Sequence, residues 1–253
     1  MWSPSQYDKF KSERSQPFFD LLDLVESRKP DRVVDLGCGT GDLTKLLHER
    51  TEALHTLGID SSAEMLGKAP TDVPGLSFRQ QSIAVLSPTD RYDLIFSNAA
   101  LQWLPNHETL FTKLAALLGP RGELAVQMPS NYGHPSHTVA AEVARLPRFA
   151  SILHGYVRPV DVLAPTAYAA LLHRLGFATQ TVRLQVYGHV LESREGVVEW
   201  VKGTLLTDYS SKMSALDYDD FLAEYKKQLW ERLSDERPYF YPFERVLLRA
   251  RRL

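Results

Sequence analysis

Residues 32–60 constrain the fold more than any other stretch of this chain. Arg32-Val33-Val34-Asp35-Leu36 is a short apolar run that stops at Gly37-Cys38-Gly39-Thr40-Gly41. Leu43, Leu46 and Leu47 then share one helical face across 42–49, and a second apolar run, Leu57-Gly58-Ile59, stops at Asp60. The glycines can take φ > 0 and carry no Cβ, so a ligand can press on the loop backbone, where the following helix also points its unpaired N–H groups. A carboxylate about twenty residues past such a loop, at the end of the second strand, can accept both hydrogen bonds of a ribose diol. The pattern of strand, glycine turn, helix, strand and acid is therefore suited to a nucleoside. Its glycines fall as G-x-G-x-G, whereas dinucleotide sites use G-x-G-x-x-G. Asp35 would repel a pyrophosphate and suits a cationic amino-acid ligand.

Bulk properties narrow the field. A chain of 253 residues can bury a full core and reads as one α/β domain with additions. With 29 basic and 31 acidic side chains it has no global pull toward nucleic acid or an anionic membrane. No run of eighteen apolar residues is present, and Met1-Trp2-Ser3-Pro4-Ser5-Gln6 does not read as a signal peptide. The single cysteine, Cys38, fits a reducing cytoplasm, and inside a glycine loop it reads as a small spacer rather than a nucleophile.

The rest of the chain continues the alternation of strand and helix. An amphipathic helix carrying Phe18, Phe19, Leu21, Leu22, Leu24 and Val25 precedes the glycine unit, with Pro17 suited to its first turn. Ser61 reads as an N-cap for a helix carrying Met65 and Leu66 that breaks at Pro70. Strands are expected at 76–79, 91–98, 123–128, 177–187 and 239–253, with Gly119-Pro120-Arg121-Gly122 as a turn into the fifth. Helices are expected over 108–118, 138–145, 166–175, 195–206 and 218–233, the region 146–164 reading as irregular. Additions at about 130–164 and 193–235 then interrupt a seven-stranded core. Open α/β sheets bind ligands at the carboxyl ends of their strands, so residues 98–103 should face the reacting centre.

Asp35-Leu36-Gly37-Cys38-Gly39-Thr40-Gly41 and the strand-end Asp60 resemble the class I S-adenosylmethionine-dependent methyltransferases. The resemblance implies a Rossmann-like seven-stranded sheet with helices on both faces, and a helical cap on the substrate side built from the two additions. It implies S-adenosylmethionine as cofactor, released as S-adenosylhomocysteine. By position, Asp35, Gly37, Cys38, Gly39 and Gly41 would hold the methionine end, Asp60 the ribose, and Ser61, Met65, Ser82 and Ile83 the adenine. Many relatives carry an acid where this chain has Ser82. Asn98, Ala99 and Trp103 would face the sulfonium, Trp103 either walling the pocket or plugging the core beneath it. Tyr7, Phe10 and Arg14 read either as a lid over the cofactor or, for the two aromatics, as an anchor for the first helix.

No Asn/Asp-Pro-Pro-Tyr/Phe motif for amide or base acceptors is present, since strand four continues as Asn98-Ala99-Ala100-Leu101. Neither a basic stripe with interleaved aromatics nor a metal-ligand cluster appears, which favours a small organic acceptor. The blocks Asn98-Ala99-Ala100-Leu101-Gln102-Trp103-Leu104-Pro105-Asn106-His107 and Leu124-Ala125-Val126-Gln127-Met128-Pro129 resemble the trans-aconitate methyltransferases, as does the leading Trp2-x-Pro4-x-x-Tyr7-x-x-Phe10-x-x-Glu13-Arg14-Ser15. That resemblance implies a carboxyl O-methyltransferase without obligate protein partner. Other readings stay open: a different small acid, as in malonyl-carrier methyltransferases, a hydroxyl or carbon acceptor, or a cofactor-binding sensor. A tricarboxylate needs multiply donating partners once desolvated. Arg14, Gln127, Asn131, Tyr156, Arg158, Trp200 and Tyr209 are positioned to supply them, with Arg14, Gln127 and Trp103 also placed to align the reactants. Arg158 could equally be solvated. His134 and His137 read either as acceptor contacts or as hydrogen-bonded surface histidines.

Overall fold

The computed structural model describes residues 11–253, with side chains from Ser15 onward. Tyr7 and Phe10, and the side chain of Arg14, lie outside what it describes. By chain contacts the protein divides into two compact units, one of 15–130, 161–185 and 245–253, the other of 131–160 and 186–244 with the first turn of the leading helix.

The first unit holds the sheet. Its strands are β1 (Arg32–Leu36), β2 (His55–Asp60), β3 (Leu76–Gln80), β4 (Tyr92–Asn98) and β5 (Leu118–Pro129), joined by parts of β6 (Thr179–Leu191) and β7 (Tyr239–Arg251). The seven strands run in the order β3-β2-β1-β4-β5-β7-β6, with β1 to β5 parallel and β7 antiparallel to β5. The order reverses at β1, which pairs with β2 on one side and β4 on the other, so a crevice opens where their carboxyl ends diverge. Central parallel strands are covered on both faces, which explains why Val33, Val34, Leu36, Leu94, Ile95 and Phe96 form apolar runs, interrupted in β1 by Asp35, and are all buried. Helices α1 (Lys11–Leu22), α2 (Asp42–Thr51), α3 (Ala63–Leu66), α4 (His107–Ala116) and α7 (Pro165–Arg174) complete this unit, the first turn of α1 excepted. Phe18 of α1 packs edge-on against Phe96, ring centroids 5.3 Å apart.

The second unit contains α5 (Pro135–Ala144), α6 (Pro147–Ile152), α8 (Glu195–Lys202), α9 (Leu205–Ser210) and α10 (Ala215–Trp230). Its core gathers Val139, Phe149, Val197, Trp200, Phe221 and Tyr241. Among the described residues no helix is long and apolar enough to cross a membrane.

Several local expectations are corrected. Pro17 lies inside α1, because the helix already begins at Lys11. The cap of α3 is Ser62, whose Oγ accepts from Met65 N at 3.2 Å, while Ser61 precedes it. Gly119 to Gly122 do not form a separate turn: β5 starts at Leu118 and absorbs them through a shift in its register with β4. The segment expected to be irregular contains α6, started by Pro147 at a position where no backbone donor is needed. The helix expected over 195–206 is broken at Gly203 into α8 and α9.

Candidate functional site

The glycine loop sits at the end of β1 and is stitched to the end of β2. Gly37 N and Cys38 N donate to Ile59 O at 2.8 and 3.0 Å, and Gly41 N closes the turn onto Cys38 O at 3.0 Å. Gly37 has φ of 78°, and a Cβ there would stand 2.2 Å from Ala100 Cβ, so only glycine lets the loop lie against the segment after β4. At Gly39, with φ of 57°, a Cβ would stand 3.2 Å from Met65 Cε, a milder approach to the flexible end of a side chain. Ile83 also borders Gly37, so the loop gathers Met65, Ile83 and Ala100 about itself.

Asp60 uses one lone pair on each carboxylate oxygen to hold this geometry. Gly39 N donates to Oδ2 at 2.9 Å and Ser62 N to Oδ1 at 2.8 Å. The remaining lone pairs can accept from a diol. Gln80 Nε2 donates to Ser61 O at 3.2 Å. Ser82 caps the short turn Ile83–Val85, accepting from Ala84 N at 3.3 Å.

Asp35 is buried, and Thr44 Oγ1 donates to its Oδ2 at 2.6 Å. Burial pushes its pKa up to about 7; the Thr44 hydrogen bond opposes that shift and the Asp60 charge adds to it. Cys38 is a thiol, its pKa raised first by burial and then by Asp35 and Asp60, which agrees with a spacer role.

The ends of β4 and β5 carry the polar atoms of greatest interest. Asn98 pairs in register with Gln127, and Ala99 N donates to Gln127 O at 2.9 Å. Ala99 takes φ of 54°, a left-handed conformation costly for a residue with a Cβ and typical of ligand sites. Gln127 is fully buried, yet neither its Nε2 nor its Oε1 has a partner among the described residues. Asn98 Oδ1 and Gln102 Oε1 share that condition, while Gln102 Nε2 donates to Ala99 O at 2.7 Å. Buried polar atoms left unpaired cost about 1–3 kcal/mol each, a cost that a polar ligand or a water reaching them would offset.

Ala100 and Gln102 fall within the segment 98–103 expected to face the reacting centre, and the fold turns Ala100 back onto Gly37 of the loop. The short turn Leu101–Trp103 is held by buried His107, whose Nε2 bonds Leu101 O at 3.1 Å and whose Nδ1 bonds the Tyr168 hydroxyl. Burial lowers the His107 pKa and keeps the ring neutral for this role. Trp103 ends the turn half exposed.

Of the acceptor-side residues, Asn131 is buried, with Nδ2 donating to Tyr241 Oη at 3.2 Å and Oδ1 accepting from Glu244 N at 3.1 Å. Tyr156 Oη donates to Asp208 Oδ2 at 2.7 Å. Arg158 is half-buried, its backbone N donating to Tyr209 Oη at 3.2 Å and its Nη1 to Thr204 O at 3.4 Å. Trp200 and Tyr209 are buried in the apolar core of the second unit, where packing accounts for both. His134 caps α5 and His137 is half-buried, so neither is a simple surface histidine.

A family model described as a methyltransferase domain matches residues 10–182. The chain is 44% identical to a trans-aconitate 2-methyltransferase of Deinococcus radiodurans, over 99% of this chain and 98% of that one. It is 41% identical to another of that name from Methylobacterium nodulans, with the same two coverages. The YcgJ protein of Bacillus subtilis superposes with a TM-score of 0.62 at 14% identity, covering 94% of this chain and 98% of that one, a likeness of fold.

Proposed function

Because the chain belongs to the methyltransferase domain family, we propose that it is an S-adenosylmethionine-dependent carboxyl O-methyltransferase that converts trans-aconitate to its monomethyl ester. When bound, S-adenosylmethionine supplies an electrophilic methyl group on a sulfonium. The residues present fit such a ligand: a glycine cradle that a Cβ would fill, an acid with spare lone pairs at the strand end, and unpaired acceptors on Asn98 and Gln102 suited to a cationic group. In this reading the backbone of 37–41 and Asp35 hold the amino-acid end, and Asp60 takes the ribose. Met65, Ser82 and Ile83 border the base. Gln127 supplies a donor for the acceptor. A carboxylate with pKa near 4 is already ionised at neutral pH, so no side chain has to remove a proton from it. The work left to the protein is alignment and exclusion of water. The lone cysteine, which has no second one to pair with, fits a cytoplasmic setting.

Within the structure, the observation that carries this reading is Gln127, a buried amide near the end of β5 whose two polar atoms have no partner among the described residues. The test is incubation with methyl-labelled cofactor and a panel of di- and tricarboxylic acids. A base-labile methyl ester of trans-aconitate is expected, and label found only on an amine, phenol or carbon product overturns the assignment.

Two further outcomes are expected. Gln127→Leu should lower kcat/KM for the acceptor by about 10- to 100-fold, the worth of a hydrogen bond to a charged group, while thermal stability holds or rises because an unpaired amide is removed. A variant that loses stability and keeps activity would contradict the role. Asp35, with a pKa of about 7, is half-protonated near neutrality in the free protein. A cationic ligand favours its ionised form, so cofactor affinity should rise between pH 6 and 8, and Asp35→Asn should flatten the profile. The stability of the free protein carries the opposite sign. Asp35 binds its proton more tightly folded than unfolded, so its contribution is full below about pH 3.8 and is lost as pH rises through about 7.

A further inference from the structure

The turn Leu101–Trp103 is reached by a directional chain of hydrogen bonds that lies wholly within the first unit. His107 Nε2 meets Leu101 O at 3.1 Å, and a carbonyl can only accept, so Nε2 carries a proton. The ring is neutral, since burial lowers its pKa and the Leu101 and Leu104 backbone and the Asp161 charge only partly oppose that. A neutral imidazole with its proton on Nε2 accepts at Nδ1, so the Tyr168 hydroxyl donates there. Leu163 N in turn donates to Tyr168 Oη at 3.2 Å, and Met128 Sδ, 4.0 Å from that oxygen, is a weaker acceptor than an imidazole nitrogen. A second tie runs alongside, with Asn106 N donating to Asp161 Oδ1 at 3.1 Å. His107 and Tyr168 are both buried, and their rings pack with Phe111 at centroid separations of 5.9 and 5.1 Å. The segment 161–163 is thereby fastened to the start of α4 and, through the imidazole, to the turn after β4.

We propose that His107 and Tyr168 are positioning residues for the cofactor: the imidazole, oriented by the Tyr168 hydroxyl, fixes the Leu101 carbonyl and with it the aim of Gln102 Oε1 at the cationic end of S-adenosylmethionine. The proposal deepens the S-adenosylmethionine reading and rests on it. Gln102 Nε2 donates to Ala99 O at 2.7 Å, which sets the direction of the amide and leaves Oε1 as the atom without a partner among the described residues. Ala99 N is held by Gln127 O, so both backbone groups of this left-handed residue are engaged. The turn has backbone bonds of its own, Trp103 N to Ala100 O at 3.2 Å and Leu104 N to Leu101 O at 3.0 Å, and the His107 bond ties it further to α4 and α7. Because a peptide unit is planar, the Leu101 oxygen and the Gln102 Cα move together, so holding the one holds the point from which the Gln102 side chain starts. An acceptor fixed in this way contributes more to binding than a mobile one, since its ordering has already occurred on folding.

Nitrogen-15 NMR of histidine-labelled protein tests the tautomer, with the His107 signals assigned by their loss in His107→Gln. Nε2–H is expected, and Nδ1–H on His107 overturns the proposal. Calorimetry with S-adenosylhomocysteine tests the aim of Gln102. His107→Leu should weaken binding about tenfold, the worth of one hydrogen bond, and His107→Gln, which keeps an N–H donor, should recover most of that loss. Tyr168→Phe should fall between the two, and it is the variant read if His107→Leu does not fold. In a Gln102→Leu background, His107→Leu should cost less than about threefold, because an effect exerted through Gln102 disappears with it. Equal losses in both backgrounds give His107 a merely structural role and overturn the proposal, as does unchanged affinity in His107→Leu and Tyr168→Phe. A protein that binds no S-adenosylhomocysteine overturns the cofactor reading itself.

Discussion

Replacing Glu123 with alanine is expected to destabilise the protein by about 3–5 kcal/mol, the cost of leaving a buried charge without its partner. Glu123 is fully buried at the start of the parallel-paired part of β5, and Arg249 of β7, nearly as buried, donates Nε to its Oε1 at 2.5 Å. Three more donors converge on it: Glu26 N at 3.0 Å, Ser27 N at 2.7 Å and Ser27 Oγ at 2.5 Å. Alanine would strand all of them and leave the guanidinium with Thr179 and the mostly exposed Glu26. Urea denaturation measures the loss, and a cost under 1 kcal/mol would contradict the account. Glu123→Ala combined with Arg249→Met should be milder than the sum, because removing both charges removes the uncompensated one. Burial pushes the Glu123 pKa up, but the hydrogen bonds from Glu26, Ser27 and Arg249 outweigh it and hold the carboxyl below its ordinary 4.5. Its contribution is thus present above pH 4.5 and lost as pH falls through the lower folded value. Glu123→Gln should remove that part of the acid-unfolding profile.

Asp60→Ala is expected to weaken binding of S-adenosylmethionine and S-adenosylhomocysteine by about 10- to 150-fold, equivalent to roughly 1.5–3 kcal/mol for charge-assisted hydrogen bonds. Two losses combine. The ribose loses its acceptor in the proposed site, and the N–H groups of Gly39 and Ser62 lose theirs, so the loop that must meet the ligand is no longer held. Asp60→Asn should fall between, since an amide has a single acceptor oxygen for two backbone donors. Calorimetry with S-adenosylhomocysteine separates the outcomes without any turnover. Unchanged affinity in Asp60→Ala would remove Asp60 from the site.

The contrast between these two acids shows what could be read along the chain. Asp60 was legible because everything that defines it lies within about twenty-five residues: an apolar run before it, glycines at 37, 39 and 41, and a helix between. Glu123 carries no comparable sign. It opens an apolar strand, and its partners come from 96 to 126 residues away. Gln127 was placed at a strand end by pattern, but that both its polar atoms are buried without a partner among the described residues depends on how β4 and β5 stand side by side.

Local rules also misplaced elements where two signals competed. Ser61 and Ser62 both follow Asp60, and the choice of Ser62 as cap follows from Asp60 Oδ1 taking the Ser62 N–H, a contact set by the loop and invisible to propensity. His134 is not a residue from which a helix start is ordinarily inferred, yet it caps α5. Gly203 ended a helix that apolar periodicity carried through to 206.

By itself, then, the sequence determined the order of strands and helices, the glycine loop and the acid that answers it, because these depend on backbone conformation and apolar spacing over a few residues. Only the tertiary structure decided which buried polar atoms are satisfied and which charges meet. Those outcomes depend on hydrogen-bond partners brought together from distant parts of the chain, and partner choice within a dry interior is a property of three-dimensional placement rather than of residue type.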